Sequence, residues 1–226
     1  MKKLLFVFIL AVMQVSCSEP TNEKKASRLI ESDLKSQLYN PDTYKMIEIQ
    51  LDSCFTDEMG SNANVLDLGI KIAKLYKEYK EIKDEAEEAE SSMTIYAPRY
   101  SGYQSAHSQQ QYEKHKKELE LARRKLESRK DQIISLYKNN MELIQNIVNK
   151  EHDFTGMVAT LYYSAENMFG HDVKEHVIYF FDKDITKILD SFDENDLDEL
   201  NGFDAEEFKF EFEEELTNEL INELGK

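Results

Sequence analysis

The chain has no tryptophan, only three prolines and only seven glycines in 226 residues. So few chain-breaking residues leave little material for the many tight turns of a β-sandwich or barrel and point to long uninterrupted elements. Cysteine is equally scarce, at two residues, which excludes a disulfide scaffold. Basic side chains are the minority: 28 Lys and Arg stand against 45 Asp and Glu, a net charge of −17. Such a surface repels a phosphate backbone, so nucleic acid is excluded as a partner. Catalytic signatures are missing too: there is no Gly-rich phosphate loop and no Gly-x-Ser-x-Gly elbow. Of the five histidines, His107, His115, His152, His171 and His176, the last two flank a strand start but fall on opposite faces of it. The acids from Asp193 to Glu199 lack the glycine of a calcium-binding loop. The sequence therefore offers no catalytic residues, no cofactor and no metal site.

What is present begins with an address. Met1-Lys2-Lys3 is a basic start, and Leu4 to Met13 is an unbroken apolar run. Ten helical residues span about 15 Å, roughly half of a bilayer core, so the run is a signal-peptide core rather than a permanent span. Gln14-Val15-Ser16-Cys17 follows directly. This resembles the lipobox of bacterial lipoproteins, with Ser16 as the small residue before the cleavage point and Gln14 departing from the usual Leu. The resemblance implies removal of residues 1–16 and acylation of Cys17, which anchors the chain stably because each buried methylene contributes about 0.8 kcal/mol. Cleavage removes Lys2 and Lys3 and no acid, taking the net charge from −17 to −19. Cys54 is then the one remaining thiol. It has no partner for a disulfide and reads as a small buried hydrophobe at a strand end.

Residues 17–25 form a lipidated tether. Ala26, Ile30, Leu34 and Leu38 give one apolar face to a helix over Asn22–Leu38, ended by Asn40-Pro41-Asp42. Tyr44 to Phe55 alternates, with Ile47, Ile49, Leu51 and Phe55 on one side and Glu48, Gln50 and Asp52 on the other. After a turn at Met59–Asn64 the period changes. Val65, Leu68, Ile72, Leu75, Tyr79, Ile82, Ala86, Ala89 and Met93 follow 3-4 spacing, a heptad seam. A second seam runs from Tyr112 to Ile147, and a parallel stripe (Ile134, Tyr137, Met141, Ile144, Val148) widens its base. Strand-like sequence lies on both sides, so the simplest reading is an antiparallel helical hairpin, residues 61–150, inserted into a body made of 26–60 and 151–190. Pairing of the seams between chains, a homo-oligomer, is the alternative. The linker Ser91–Gln111 carries Tyr96, Tyr100 and Tyr103, either a tyrosine-rich contact tip or rings packed on the helix ends.

From His152 the period returns to two. Met157, Ala159, Leu161, Tyr163 and Ala165 share a face, and Asn167–Asp172 forms a hairpin turn with Gly170 available for positive φ. The return strand is Val173–Phe181, with Val173, Val177, Tyr179 and Phe181 together. A tight turn at Asp182-Lys183-Asp184 leads into a short element at Ile185–Leu189, strand or helical turn. Residues 191–226 hold fourteen acids against two lysines. Within them Asp193–Leu200 reads as a short helix stopped at Asn201-Gly202. Asp204 and Glu207 resemble a capping box, opening a helix with Phe208, Phe212, Leu216, Leu220 and Leu224 at every fourth position. The predicted fold is α+β: a small antiparallel sheet with an inserted long antiparallel coiled-coil hairpin and acidic C-terminal helices.

Two segments, Leu34–Tyr44 (LKSQLYNPDTY) and Tyr162–Gly170 (YYSAENMFG) with Val177–Asp182 (VIYFFD), resemble uncharacterised lipoproteins of Bacteroidota-type bacteria, in which a helix leads into a curved sheet similar to that of cystatin-like folds. That resemblance brings no catalytic residues. The expectation is a non-catalytic cell-envelope protein, anchored through Cys17 and using its hairpin to meet an envelope protein. Ser18, where an Asp would signal inner-membrane retention, favours the outer membrane. The alternative is a small-ligand binder on a sheet face lined by Tyr162, Tyr163, Tyr179 and Phe181.

Overall fold

The computed structural model describes residues 21–98, 105–213 and 216. The lipidation position Cys17, the tip residues Tyr100 and Tyr103, and Leu220 and Leu224 lie outside them. The architecture is α+β. Helix α1 (Asn22–Gln37) leads to strand β1 (Lys45–Phe55), and helices α2 (Ala63–Tyr96) and α3 (Ala106–Val148) follow. Strands β2 (Phe154–Glu166), β3 (Asp172–Phe181) and β4 (Ile188–Phe192) complete a fully antiparallel sheet in the order β1-β2-β3-β4. Helices α4 (Glu194–Asn201) and α5 (Ala205–Glu211) close the described chain.

The sheet separates two apolar layers because alternate residues of a strand point to opposite faces. On one face Ala159, Leu161, Tyr163, Val177, Tyr179 and Phe181 bury themselves under the Ala26, Ile30 and Leu34 stripe of α1. On the other, Val158, Ile178, Phe180 and Phe192 meet Ile70 and Leu66 of α2 and Leu197 of α4, with Cys54 buried among them. Thus the sheet face considered for a ligand is closed by α1. Tyr163, Tyr179 and Phe181 are core, and Tyr162 lies on the opposite face, stacked on His176 at 4.6 Å between ring centres.

The even alternation expected of β1 breaks at both ends. A bulge between Met46 and Glu48 turns Ile47 out to solvent, 54% exposed, and an irregularity at Cys54/Phe55 sends Phe55 to stack on His152. The turn at Asn167–His171 forms as expected, with Gly170 at φ +76°. The fourth strand starts three residues later than the expected element. Asp182 accepts hydrogen bonds from the amides of Thr186 and Lys187 and from the Thr186 hydroxyl, and this turn holds the buried Ile185 at φ +53°.

The hairpin is intramolecular: the two seams pair with each other within one chain. At 1.5 Å per residue the 34-residue and 43-residue arms are about 51 Å and about 64 Å long. The linker is shorter than Ser91–Gln111, because each arm runs on to its own stop signal. Pro98 bars Ala97 from helical geometry, and the Ser105 hydroxyl caps α3 by accepting from the Ser108 amide.

Candidate functional site

The distal half of the hairpin is built from small residues. Ala86 and Ala89 of α2 face Leu119 and Ala122 of α3, and Ile82, Met93 and Leu126 cover them. No other element contributes to this cluster among the described residues. Exposed inter-arm ion pairs, Glu90–Arg123 at 3.4 Å and Glu78–Arg129 at 2.8 Å, follow the same register. At its outer end Tyr96 is half-buried. Its ring stacks on His115 of α3, 5.8 Å between centres, and His115 Nδ1 lies 2.8 Å from Glu118. Of the three tip tyrosines this one packs on a helix end.

The base of the hairpin differs from the sequence expectation. The wider buried surface belongs to α2, not α3: Ile70, Ala73 and Tyr76 are buried in addition to the seam residue Ile72. The α3 stripe is only partly covered, and Val148 is 63% exposed. Ile70 is buried on the sheet, and what buries the Tyr76 end of this second face is the acidic C-terminal segment. Phe203, Phe208 and Phe212 close around Tyr76, Tyr79, Ile133 and Tyr137, with Tyr76 to Phe208 at 5.3 Å and Phe208 to Phe212 at 5.0 Å between ring centres. Asp193 caps α4 and Asp204 caps α5 through their side chains, so two of the many acids are spent on helix starts.

Four more acids pair in sequence with a row of lysines. Lys74 meets Asp196 at 2.6 Å, Lys77 meets Glu199 at 2.7 Å, Lys80 meets Glu207 at 2.7 Å and Lys83 meets Glu211 at 2.8 Å. A spacing of three falls 60° short of a full helical turn at each step, so the row winds around α2. The C-terminal segment therefore crosses the hairpin obliquely rather than running along one face. These hydrogen bonds to carboxylates raise each lysine above its ordinary pKa. Burial, reinforced by Glu207 and Glu211, pushes the Tyr76 hydroxyl up to about 12. A concavity of ≈ 420 Å³ lies on the flank of the distal arms beside His115, and one of ≈ 530 Å³ lies between α5 and α3 beside Tyr137.

Sequence reading missed this clasp, although the Lys-x-x-Lys-x-x-Lys-x-x-Lys run from Lys74 to Lys83 was visible. Among the described residues no group of three or more His, Cys, Asp or Glu is placed to hold a metal ion, and no helix is long and apolar enough to cross a membrane. Comparison with family models, curated proteins and solved structures finds no match.

Proposed function

We propose that this chain is a non-catalytic, lipid-anchored protein of the cell envelope, with the outer membrane favoured, whose helical hairpin reaches to a protein partner. The observation that carries the reading is the division of labour along the hairpin. Its base is clasped to the body, whereas its outer half packs only on itself among the described residues. An arm that adds nothing to the core of the body is explained by what it contacts. The anchored half of the proposal rests on the resemblance of residues 1–17 to a lipoprotein signal.

Two measurements test it. Intact-mass analysis and membrane fractionation of the native protein beside Cys17→Ala should give acyl chains on the first and release of the second. An unacylated soluble native protein overturns the anchor. A photo-crosslinker at position 96 in the living cell should trap one defined envelope protein. The same adduct should vanish when both arms are shortened by two heptads. Unchanged crosslinking from the shortened hairpin, or none from the intact one, overturns the partner-contact role.

A further inference from the structure

Helix α1 buries Ala26, Ile30 and Leu34 against the sheet. At 100° per residue the opposite side of the helix carries Lys24, Lys25, Arg28 and Lys35, with Ser32 among them. The acid nearest that side, Glu31, is tied to Lys35 at 2.7 Å. In a chain of net charge −17 this is a cationic strip, and because α1 starts at Asn22 it begins within the stretch 17–25 expected as tether.

A second observation lies at the C-terminal end of the same helix. Tyr39 is 75% exposed, and the turn between β2 and β3 presents Met168 at 65% and Phe169 at 75%. The two loops are neighbours. Asn40 Nδ2 donates to the Glu166 carboxylate at 3.0 Å, and the Glu166 amide donates to Thr43 Oγ1 at 2.9 Å. Turn tips are ordinarily polar, and large apolar side chains gathered in the open mark a contact surface. Aromatic rings beside cations are also the composition that settles at a membrane interface.

Three features select a bilayer as the occupant. Thr21, the first described residue, follows Cys17 by four positions, a reach of at most about 14 Å, which keeps the start of α1 near the acyl chains. The outward side of α1 is cationic, which suits anionic headgroups. The opposite sheet face is covered by α2 and α4, and α4 belongs to the acidic segment that such headgroups repel. We propose that the body lies with α1 along an anionic lipid surface, the Tyr39 and Met168-Phe169 loops entering the headgroup region, and the hairpin layer facing away. This rests on the lipid-anchored reading.

The chain lacks tryptophan, so a single introduced one reports its own surroundings. The full protein is made as Phe169→Trp and, separately, as Ile95→Trp, an exposed position near the outer end of α2. Each is mixed with phosphatidylethanolamine–phosphatidylglycerol vesicles, with and without brominated acyl chains. The Phe169→Trp emission should shift to the blue and be quenched by bromine several-fold more than that of Ile95→Trp. Adding Lys24→Glu, Arg28→Glu and Lys35→Glu should abolish the difference while the protein still sediments with the vesicles through its acyl chains. A Phe169→Trp reporter as water-exposed as Ile95→Trp on sedimented vesicles overturns the orientation and leaves the anchor standing. Failure to sediment overturns both. A reporter that stays unquenched by lipid yet is shielded in native envelopes assigns this end to a protein instead and also overturns the proposal.

Discussion

Replacing Phe212 by Ala separates the two forces that hold the C-terminal clasp. Phe212 is fully buried, with ring centres of Tyr79 at 5.4 Å, Phe208 at 5.0 Å and Tyr76 at 6.1 Å. Truncating a buried phenylalanine costs about 3–5 kcal/mol, transfer and cavity together. The ion pairs are weaker. Their lysine side chains are 40% to 61% exposed, and an exposed pair such as Lys74–Asp196 is worth at most about 1 kcal/mol and is screened by salt. Helix α5 has seven residues, too few to stay helical in water unaided, so once its aromatic anchor is lost it must unwind. The Phe208 amide donates to Asp204 at 3.0 Å and the Phe212 amide to Phe208 at 3.1 Å, and hydrogen exchange at these two positions reads the opening. In Phe212→Ala both should exchange faster by about two to three orders of magnitude, since each 1.4 kcal/mol is a factor of ten. The amides of β2 should be unchanged. In 1 M NaCl the unsubstituted protein should keep α5 protected. Opening in salt equal to that of Phe212→Ala, or full protection in Phe212→Ala, would refute the claim that the rings hold the clasp and the lysines only set its register.

The same clasp has an alkaline limit. Lys74, Lys77, Lys80, Lys83 and Tyr76 all bind their protons more tightly in the folded chain, so their contribution is complete below about pH 10 and is lost as pH rises through the raised values. Proteolysis of the 203–213 segment should be flat from pH 7 to 9 and rise above pH 10; a rise already by pH 8 counts against the pairing. Gly156→Ala should lower stability by more than about 3 kcal/mol in a urea titration, because its Cβ would stand 2.1 Å from the Phe181 carbonyl oxygen, inside contact distance on a paired backbone. Cys54 is 3% exposed and burial raises its thiol pKa, so a thiol reagent should leave it unlabelled until the chain is denatured; rapid native labelling contradicts its place in the core.

Buried faces that repeat at a single period were legible. The α1 stripe, the alternation of β2 and the two hairpin seams each repeat at 3.6, 2 or 3.5 residues, and the structure places them accordingly. The second buried face of α2 was not. Ile70, Ala73 and Tyr76 lie off the seam of α2, and what covers Tyr76 is Phe208, 132 residues later in the chain. No local pattern encodes that meeting, although the lysine row opposite the acidic end was a clue in plain view. The bulge at Ile47 and the left-handed Ile185 were hidden for another reason. Each is a backbone choice that the side chain itself disfavours or ignores, imposed by neighbouring hydrogen bonds. Of the tip tyrosines, the sequence put Tyr96 in the linker, whereas it is the last residue of α2 and stacks on His115.

The clasp also bears on how a long arm can act as a pointer. A coiled pair of helices is stiff along its length, so the direction of its tip is decided at its root. There α2 is held twice. Its Leu66 and Ile70 sit on the sheet with Phe180, and its Tyr76 and Tyr79 sit under Phe208 and Phe212. Helix α4 joins the two, with Leu197 in the sheet layer and Asp196 and Glu199 on the lysine row. A hinge of 10° at an unclasped root would swing the end of a roughly 50 Å arm by about 9 Å, as much as the spacing between neighbouring helices. Clasping the root removes that freedom without adding a residue to the outer half. In this chain, then, the acidic segment 193–212 is a structural part of the hairpin, and losing it should disorient the tip while leaving the distal seam intact.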